Sequence, residues 1–157
     1  MARTIFAACL CLLLVPAALA AGPDDAATPV YKFINAFNTG DMNTAFALCS
    51  AGEVTIVDEF PPFQWVGSKA ARHWAADYDR HAGATGVTEG RVTYTKATRV
   101  ELKGDLAYVI IPTVYLYREH GTAMQEEGHL TAVMHAEAGG WKIRSWTWSG
   151  VTPHPAR

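Results

Sequence analysis

The sequence predicts one α+β domain, in which three N-terminal helices pack on one face of a curved antiparallel sheet. Two observations predict it. Apolar residues recur at helical spacing as far as about residue 81, and they follow strand spacing from residue 87 to residue 149. Tight turns separate the strands, as in an antiparallel meander. With 157 residues, half of them apolar, the chain can bury one core and has no room for a second domain.

The first helix is predicted to start after a short flexible lead-in at residues 21–27. Thr28 suits an N-cap and Pro29 the first helical position. This helix ends at the corner formed by residues 38–40. Asp41 then caps a second, short helix, so the two form a helical hairpin.

A short strand and a third helix come next. The strand covers residues 54–57, and the prolines at 61 and 62 argue against regular structure directly after it. Ser68 is the predicted cap of a third helix over residues 69–81. Four strands follow and complete the domain at residues 28–150, leaving residues 151–157 as a C-terminal tail. The predicted strands cover residues 92–100, 106–117, 122–136 and 141–149.

The strand over residues 106–117 is apolar on both faces. One alternate set contains Val109 and Ile111, and the other contains Tyr108 and Ile110. A sheet face open to solvent carries polar residues at alternate positions. We therefore expect a second copy of the chain to cover the outer face and form a homodimer. The alternative is an open face with surplus apolar residues.

The first 20 residues have the pattern of a signal peptide. A basic residue at position 3 precedes an apolar run over residues 5–15, and residues 18–20 match the small-residue pattern of a cleavage site. The run is shorter than the roughly 20 residues that span a membrane. We predict cleavage after Ala20 and a secreted or periplasmic mature protein. Cys49 is then the one cysteine left, so an internal disulfide is excluded.

The charge balance excludes two kinds of partner. The chain has 13 Lys and Arg against 15 Asp and Glu, a net charge of −2, and no run of basic residues. Nucleic acids and anionic membranes attract a positively charged surface, which this composition does not supply. We expect no nucleic-acid partner and no membrane insertion of the mature chain.

The element order resembles the nuclear transport factor two-like superfamily, and within it the SnoaL-like and ketosteroid-isomerase-like bacterial branch. The resemblance covers about residues 28–149 and is clearest at two places, Phe37-Asn38-Thr39-Gly40-Asp41 and Gly139-Gly140-Trp141-Lys142-Ile143. It implies the cystatin-like fold, a cone-shaped barrel with a pocket between the helices and the concave sheet. Members are often dimeric, and they either isomerise, dehydrate or cyclise a substrate or bind a ligand alone.

The resemblance also implies positions for catalytic groups. Ketosteroid isomerases use an Asp at the end of the first strand as general base, and Asp58 matches it. The position of their oxyanion-donating Tyr holds Phe33, which has no proton to donate. The position of their second acid falls near Ala132. Asp58 is therefore either a pocket base with a raised pKa or a cap of the following turn, and its neighbour Glu59 is expected to be solvated.

Histidines supply a second candidate catalytic residue. His129 is the candidate acid–base partner of Asp58, because dehydratases of this fold pair a His with an Asp. The face of the strand on which His129 lies depends on the register. His73, Asp77 and His81 are spaced along one side of the third helix, but the charges around them favour a solvated helix face. We predict no metal site and no cofactor.

Aromatic residues are the candidate lining of the pocket, because their rings suit an apolar ligand. The predicted ligand-binding residues are Phe33, Trp65, Trp74, Tyr94, Tyr115 and Trp146. The sequence predicts an exported protein that binds a small apolar or aromatic molecule. The alternative is a cofactor-free isomerase or dehydratase with Asp58 as general base.

Overall fold

The computed structural model describes residues 22–157, so the predicted signal peptide lies outside the described residues. Two helices, a short hairpin and a third helix precede a run of longer strands. The helices are α1 (Pro23–Thr39), α2 (Met42–Ala47) and α3 (Ala70–Thr85). The strands are β1 (Val54–Val57), β2 (Gln64–Gly67), β3 (Val87–Tyr94), β4 (Arg99–Lys103), β5 (Leu106–Glu119), β6 (Thr122–Glu137), β7 (Gly140–Gly150) and β8 (His154–Pro155).

Helix α1 begins at Pro23, earlier than predicted. The Asp25 side chain accepts a hydrogen bond from the Gly22 N–H at 2.8 Å, which satisfies a donor at the helix start. Residues 26 and 27 are buried alanines. Residues 23–27 are therefore the first turns of the helix, and their prediction as a flexible lead-in is wrong. Pro29 lies inside the helix, where its fixed φ is helical and its cost is one backbone hydrogen bond.

The other two helices begin close to their predicted starts. Asp41 caps α2 and accepts a backbone hydrogen bond at 3.1 Å. Helix α3 begins after Lys69 rather than Ser68. It continues past His81 because the glycine that ends it in the left-handed conformation is Gly86, with φ +71°.

An eight-stranded mixed sheet forms the second layer. The strand order is β2-β1-β7-β6-β5-β3, with β4 also paired to β5 and β8 to β6. Strands β5, β6 and β7 form the predicted antiparallel meander. Strand β1 runs parallel to β7, however, so the sheet is not purely antiparallel. No hairpin joins β1 to β7, so turn geometry does not constrain their relative direction.

The predicted strand over residues 92–100 is two strands. Strands β3 and β4 pair with opposite halves of β5, and the chain leaves the ladder between them. The Tyr31 hydroxyl on α1 accepts a hydrogen bond from the Ala97 N–H at 2.7 Å. The Ala97 N–H lies outside the sheet but has a hydrogen-bond partner, so the break in the strand leaves no unpaired backbone donor at this residue.

Strand β2 begins two residues after the two prolines, where the sequence predicted no regular structure. Pro61 and Pro62 lie in the turn, and the Asp58 N–H donates to the Phe63 carbonyl at 3.1 Å to close it. The missing proline N–H groups therefore fall outside the ladder. Val54 to Val57 of β1 then pair antiparallel with β2.

The core lies between α1, α3 and the inner face of the sheet. Val109 and Ile111 of β5, Met134 of β6 and Ile143 of β7 are fully buried there. On the outer face of β5 the side chains are half-buried in the single chain. The expected cover by a second copy therefore stays a prediction. The outer-face residues are Tyr108, Ile110, Pro112, Val114 and Leu116.

The C-terminal segment returns to the sheet. Strand β8 pairs with Met124 and Gln125 of β6, and Pro153 lines the cavity described below. The predicted tail at residues 151–157 therefore packs against the domain. No helix within residues 22–157 is both long enough and apolar enough to span a membrane.

Candidate functional site

A cavity of about 380 Å³ lies between α1, α3 and the inner face of the sheet. This volume is at the lower end of the range for small-molecule sites. Two kinds of side chain dominate its wall. Aromatic rings come from Phe33, Phe37, Phe60, Trp74, Tyr78, Tyr115, Tyr117, Trp146 and Trp148. Carboxyl groups come from Asp58, Glu59, Glu119 and Glu126.

Asp58 lies at the end of β1 and is half-buried against the cavity. Its Oδ2 accepts a hydrogen bond from Trp74 Nε1 at 2.8 Å, and its Oδ1 accepts one from the Glu59 backbone N–H at 2.8 Å. Burial raises the pKa of Asp58 to about 6, although both hydrogen bonds oppose the increase. The carboxyl thus combines a place on the cavity wall with a contact to the following turn.

Trp74 holds Asp58 in a fixed orientation because its own ring is packed on three sides. The ring centroid lies 5.8 Å from that of Phe37, 6.1 Å from that of Phe33 and 5.0 Å from that of Trp146. Trp74 is 5% exposed. Rotation of the indole would disturb this cluster, so the direction of its N–H is set by packing.

Two tyrosines place hydroxyl groups on the same cavity. The Tyr78 and Tyr115 oxygens are 2.6 Å apart, with α3 supplying one and β5 the other. Burial raises the pKa of both residues, and the Asp58 carboxylate adds to the increase. Both therefore stay protonated at neutral pH. In such a pair one hydroxyl donates to the other, and the second proton remains free for a ligand oxygen.

Gly90 makes room for this pair. A Cβ at residue 90 would lie 2.5 Å from the Tyr78 oxygen and 2.7 Å from the Tyr115 oxygen. Both distances are shorter than side chains allow. The residue follows Glu89, which has a positive φ, within the irregular part of the β3–β5 ladder. The glycine at this bulge allows the backbone to approach the two hydroxyls closely.

Glu59 and Glu126 meet at another part of the wall. Trp148 Nε1 donates to Glu59 Oε1 at 2.9 Å and to Glu126 Oε1 at 3.3 Å. Burial raises the pKa of Glu59 to about 7, and the neighbouring Glu126 adds to the increase. Glu59 is exposed, as expected, but it is not directed away from the pocket, because it lines the cavity.

Four of the predicted ligand-binding residues line the cavity with Asp58. They are Phe33, Trp74, Tyr115 and Trp146. Their contact with a ligand remains a prediction.

The other two ligand-binding candidates have structural partners instead. Trp65 is buried and donates its indole N–H to Asp77 Oδ2 at 2.7 Å. The Tyr94 ring stacks on Tyr31 with centroids 5.1 Å apart, and its hydroxyl donates to Asn35 Oδ1 at 3.1 Å. Neither belongs to the wall of the cavity. The prediction that Trp65 and Tyr94 line the ligand pocket is therefore wrong.

His129 is not placed to assist Asp58. It is exposed and lies in a groove on the outer face of the sheet, between Pro112 and Ser149. The apolar side chains at 130, 132 and 134 occupy the inner face, so the register turns His129 away. His81 is the histidine on the cavity wall, where its ring stacks on Phe60 at 5.3 Å. Its prediction as part of a solvated helix face is wrong.

Sequence reasoning missed several residues of the site. Glu126 follows the two-residue alternation of buried positions in β6, which could have placed it on the inner face. Tyr78 is another such residue. Its contact with Tyr115 joins residues 37 apart in the chain, so only the fold brings them together. Within residues 22–157, no group of three or more His, Cys, Asp or Glu is arranged to hold a metal ion.

The fold and the cavity define an α+β pocket protein with an aromatic and acidic interior. The chain belongs to the family of the SnoaL-like domain, which it matches over residues 28–153. This confirms the resemblance seen in the sequence. A comparison with curated proteins finds no match.

Solved structures share the fold at low sequence identity. A ketosteroid isomerase-like protein from Erwinia carotovora atroseptica superposes with a TM-score of 0.63 at 16% identity, covering 82% of this chain and 95% of that one. A nuclear transport factor 2-like superfamily protein from Salmonella enterica serovar Typhimurium gives 0.67 at 13% identity, covering 86% and 92%. A type 2 hexachlorocyclohexane dehydrochlorinase gives 0.68 at 13% identity, covering 84% and 87%. At these identities the superpositions show a shared fold, and the fold alone does not give the activity.

Proposed function

We propose that this chain binds a small, largely apolar or aromatic molecule in the cavity and removes a proton from it, with Asp58 as general base. The observation that carries the proposal is the place of Asp58, a half-buried carboxylate fixed by Trp74 against a wall of aromatic rings. A carboxylate with a pKa of about 6 is ionised at neutral pH and is a stronger base than an exposed one. The names of the ketosteroid isomerase-like and dehydrochlorinase structures are consistent with such chemistry.

The Tyr78–Tyr115 pair supplies the second group that such a reaction needs. Proton removal next to a carbonyl or a leaving group builds negative charge on the substrate. A hydrogen-bond donor held in place stabilises that charge, and this effect is often the largest contribution to catalysis. Phe33 occupies the position where the family's isomerases have a donor. The free proton of the tyrosine pair takes over this role from another part of the same wall.

Binding without chemistry is the second candidate function. The specific observation that favours it is the hydrogen bond from the Glu59 N–H to Asp58 Oδ1, which is the contact of a residue that caps a turn. In that case the cavity would hold the same class of ligand, and Asp58 would serve the local backbone. The two candidates differ in one property, which is proton transfer that depends on Asp58.

Export and dimerisation complete the proposal. The N-terminal pattern supports secretion with cleavage after Ala20. The apolar outer face of β5 supports association with a second copy of the chain. Neither depends on the chemistry at Asp58.

A carbon acid that reports its own deprotonation tests the proposed function. The probe is 5-nitrobenzisoxazole, a small aromatic molecule that releases a coloured phenolate when a base removes its ring proton. We expect the mature protein to accelerate this reaction, with a rate that rises with pH through an apparent pKa of about 6. Asp58→Asn should lower the rate on the order of 100-fold, as expected for loss of a general base.

Asp79→Asn is the matched control, since it removes an exposed carboxylate from the same helix that carries Trp74. It should leave the rate unchanged. A rate that is equal in the Asp58 and Asp79 variants would contradict the general-base role. Saturable binding of the probe with no acceleration would favour the second candidate function.

A further inference from the structure

We propose that the ligand of the cavity carries a protonated amine, which the Glu59 and Glu126 carboxyl groups hold against the rings of Trp148 and Tyr117. This inference rests on the proposed function, because it names the class of molecule that the same cavity takes. The ligand is then an aromatic or apolar amine with its cationic end at Glu126.

Glu126 is buried although it carries an acidic side chain. Its side chain lines the cavity, yet the residue is only 2% exposed. A buried carboxylate is expensive unless a cation or several donors compensate it. The hydrogen bond that it accepts here is a long one, 3.3 Å from Trp148 Nε1, and the same N–H also serves Glu59. Glu59 can also hydrogen-bond to Glu126, but only while Glu59 is protonated, so a single indole donor serves the pair once both carboxyl groups are ionised.

The described cavity wall lacks a Lys or Arg that could compensate its carboxyl groups. None of the cavity's lining residues, all within residues 22–157, is Lys or Arg. His81 is the basic side chain among them, and it lies near Asp58. Four carboxyl groups therefore face one imidazole around the cavity. An anionic ligand would be repelled, and a neutral one would leave Glu126 without a counter-charge.

The backbone leaves space for the Glu126 carboxyl. A Cβ built on Gly150 would overlap Glu126 Oε1, and one built on Gly128 would come within 2.9 Å of the Trp148 ring. Strands β6 and β7 pair these two glycines directly. The space that they leave holds Glu126 and Trp148 in contact, so the carboxyl has a defined place on the wall.

Aromatic rings lie beside the two carboxyl groups on the cavity wall. Trp148 donates a hydrogen bond to both carboxyl groups. Burial raises the pKa of Tyr117, and the charges of Glu119, Glu126 and Glu59 add to the increase, so Tyr117 lies close to the pair. Tyr117 also stacks on Tyr115 with centroids 4.8 Å apart. Aromatic faces attract organic cations, most strongly where water is excluded. An ammonium group can donate hydrogen bonds to the carboxylates and pack on the neighbouring aromatic rings, so the two together suit it.

Two probes with the same ring system test the proposal. One is 1-naphthylmethylamine, which is cationic at pH 7, and the other is 1-naphthylmethanol, which is neutral and nearly the same size. Binding of each to the mature protein is measured by isothermal titration calorimetry at low ionic strength. We expect the amine to bind about tenfold more tightly than the alcohol, because only the amine forms charge-assisted hydrogen bonds with the pair.

Three variants locate the origin of this preference. Glu126→Gln and Glu59→Gln should each reduce the preference for the amine while leaving the affinity for the alcohol within about twofold. Glu53→Gln removes the same charge from an exposed residue outside the cavity and should preserve the preference. Glu59 is exposed, so its substitution tests the pair even if Glu126→Gln fails to fold.

The possible failures are distinct. If the alcohol binds and the amine binds no more tightly, the amine proposal is overturned and the proposed function stands. If the preference persists in both Gln variants, the attraction arises elsewhere and the assignment to this pair is wrong. If neither probe binds at millimolar concentration, the cavity does not bind aromatic molecules, and the proposed function fails together with the amine proposal.

Discussion

Replacing Asp58 with Asn should change how the stability of the protein depends on pH. The folded state raises the pKa of Asp58 from 3.8 to about 6, mainly through burial. Between these two values the folded chain binds a proton that the unfolded chain has released. The free energy of unfolding that this group contributes is therefore present below pH 3.8 and lost as the pH rises through 6.

The magnitude follows from the size of the shift. A difference of about two pKa units corresponds to about 3 kcal/mol at pH 7, at 1.36 kcal/mol per unit. Asn carries no charge, so this penalty is absent from the variant at every pH. The amide oxygen of Asn can still accept the hydrogen bond from Trp74. The amide NH₂ then takes the place of Asp58 Oδ1 and cannot accept the hydrogen bond from the Glu59 N–H. That loss costs about 1 kcal/mol and does not vary with pH.

Urea unfolding of both proteins at pH 4, 5, 6 and 7.5 measures the effect. We subtract the unfolding free energy of the wild type from that of the variant at each pH. This difference should increase by about 2 to 3 kcal/mol from pH 4 to pH 7.5, because the wild type loses stability over this range and the variant does not. Most of the Glu59 contribution cancels in this difference, because burial and Glu126, the main causes of its raised pKa, are the same in both proteins. A variant that is less stable by the same amount at every pH would refute the argument, because it would mean that Asp58 is not a desolvated carboxylate.

Three further predictions concern other parts of the molecule. Gly90→Ala places a methyl group against the Tyr78 and Tyr115 hydroxyls, so it should destabilise the fold by about 1–3 kcal/mol and slow the 5-nitrobenzisoxazole reaction. The control Gly83→Ala lies in open space in α3, so it should neither destabilise the fold nor slow the reaction. If the two variants had equal effects, the role of the tyrosine pair in the reaction would be contradicted. N-terminal sequencing of secreted or periplasmic material should begin at Ala21, and a sequence that begins at Met1 would disprove processing. Sedimentation at micromolar concentration should give a dimer, whereas a monomer would contradict cover of the outer face of β5 by a second copy.

The sequence contains most of the fold because periodicity reports local structure. The end of α1, the cap of α2 and the strands β5 to β7 follow from residue spacing and from turn residues. The differences arise where tertiary contacts decide. Burial of Ala26 and Ala27 extends α1 towards its N-terminus, and the Tyr31 hydroxyl interrupts the strand near Ala97.

The site is less visible in the sequence than the fold. Asp58 is predicted by its place after the first strand, and the direction of its pKa shift follows once an apolar pocket is assumed. Tyr78 and Tyr115 become partners only through the packing of α3 on the sheet. Glu126 was missed because a carboxylate in a strand is usually solvated. His129 was misplaced because a shift of one residue in register exchanges the two faces of a strand.

An NMR titration of the Asp58 side-chain carbon tests the central claim most directly. The mature protein is labelled with ¹³C at the aspartate carboxyl groups, and Asp58→Asn identifies the resonance by its loss. Asp58 should titrate with a pKa of about 6, above the exposed aspartates, because burial against the cavity disfavours its charged form. A pKa below 4 would contradict the account, since it would make Asp58 a cap of the turn after β1 and not a base.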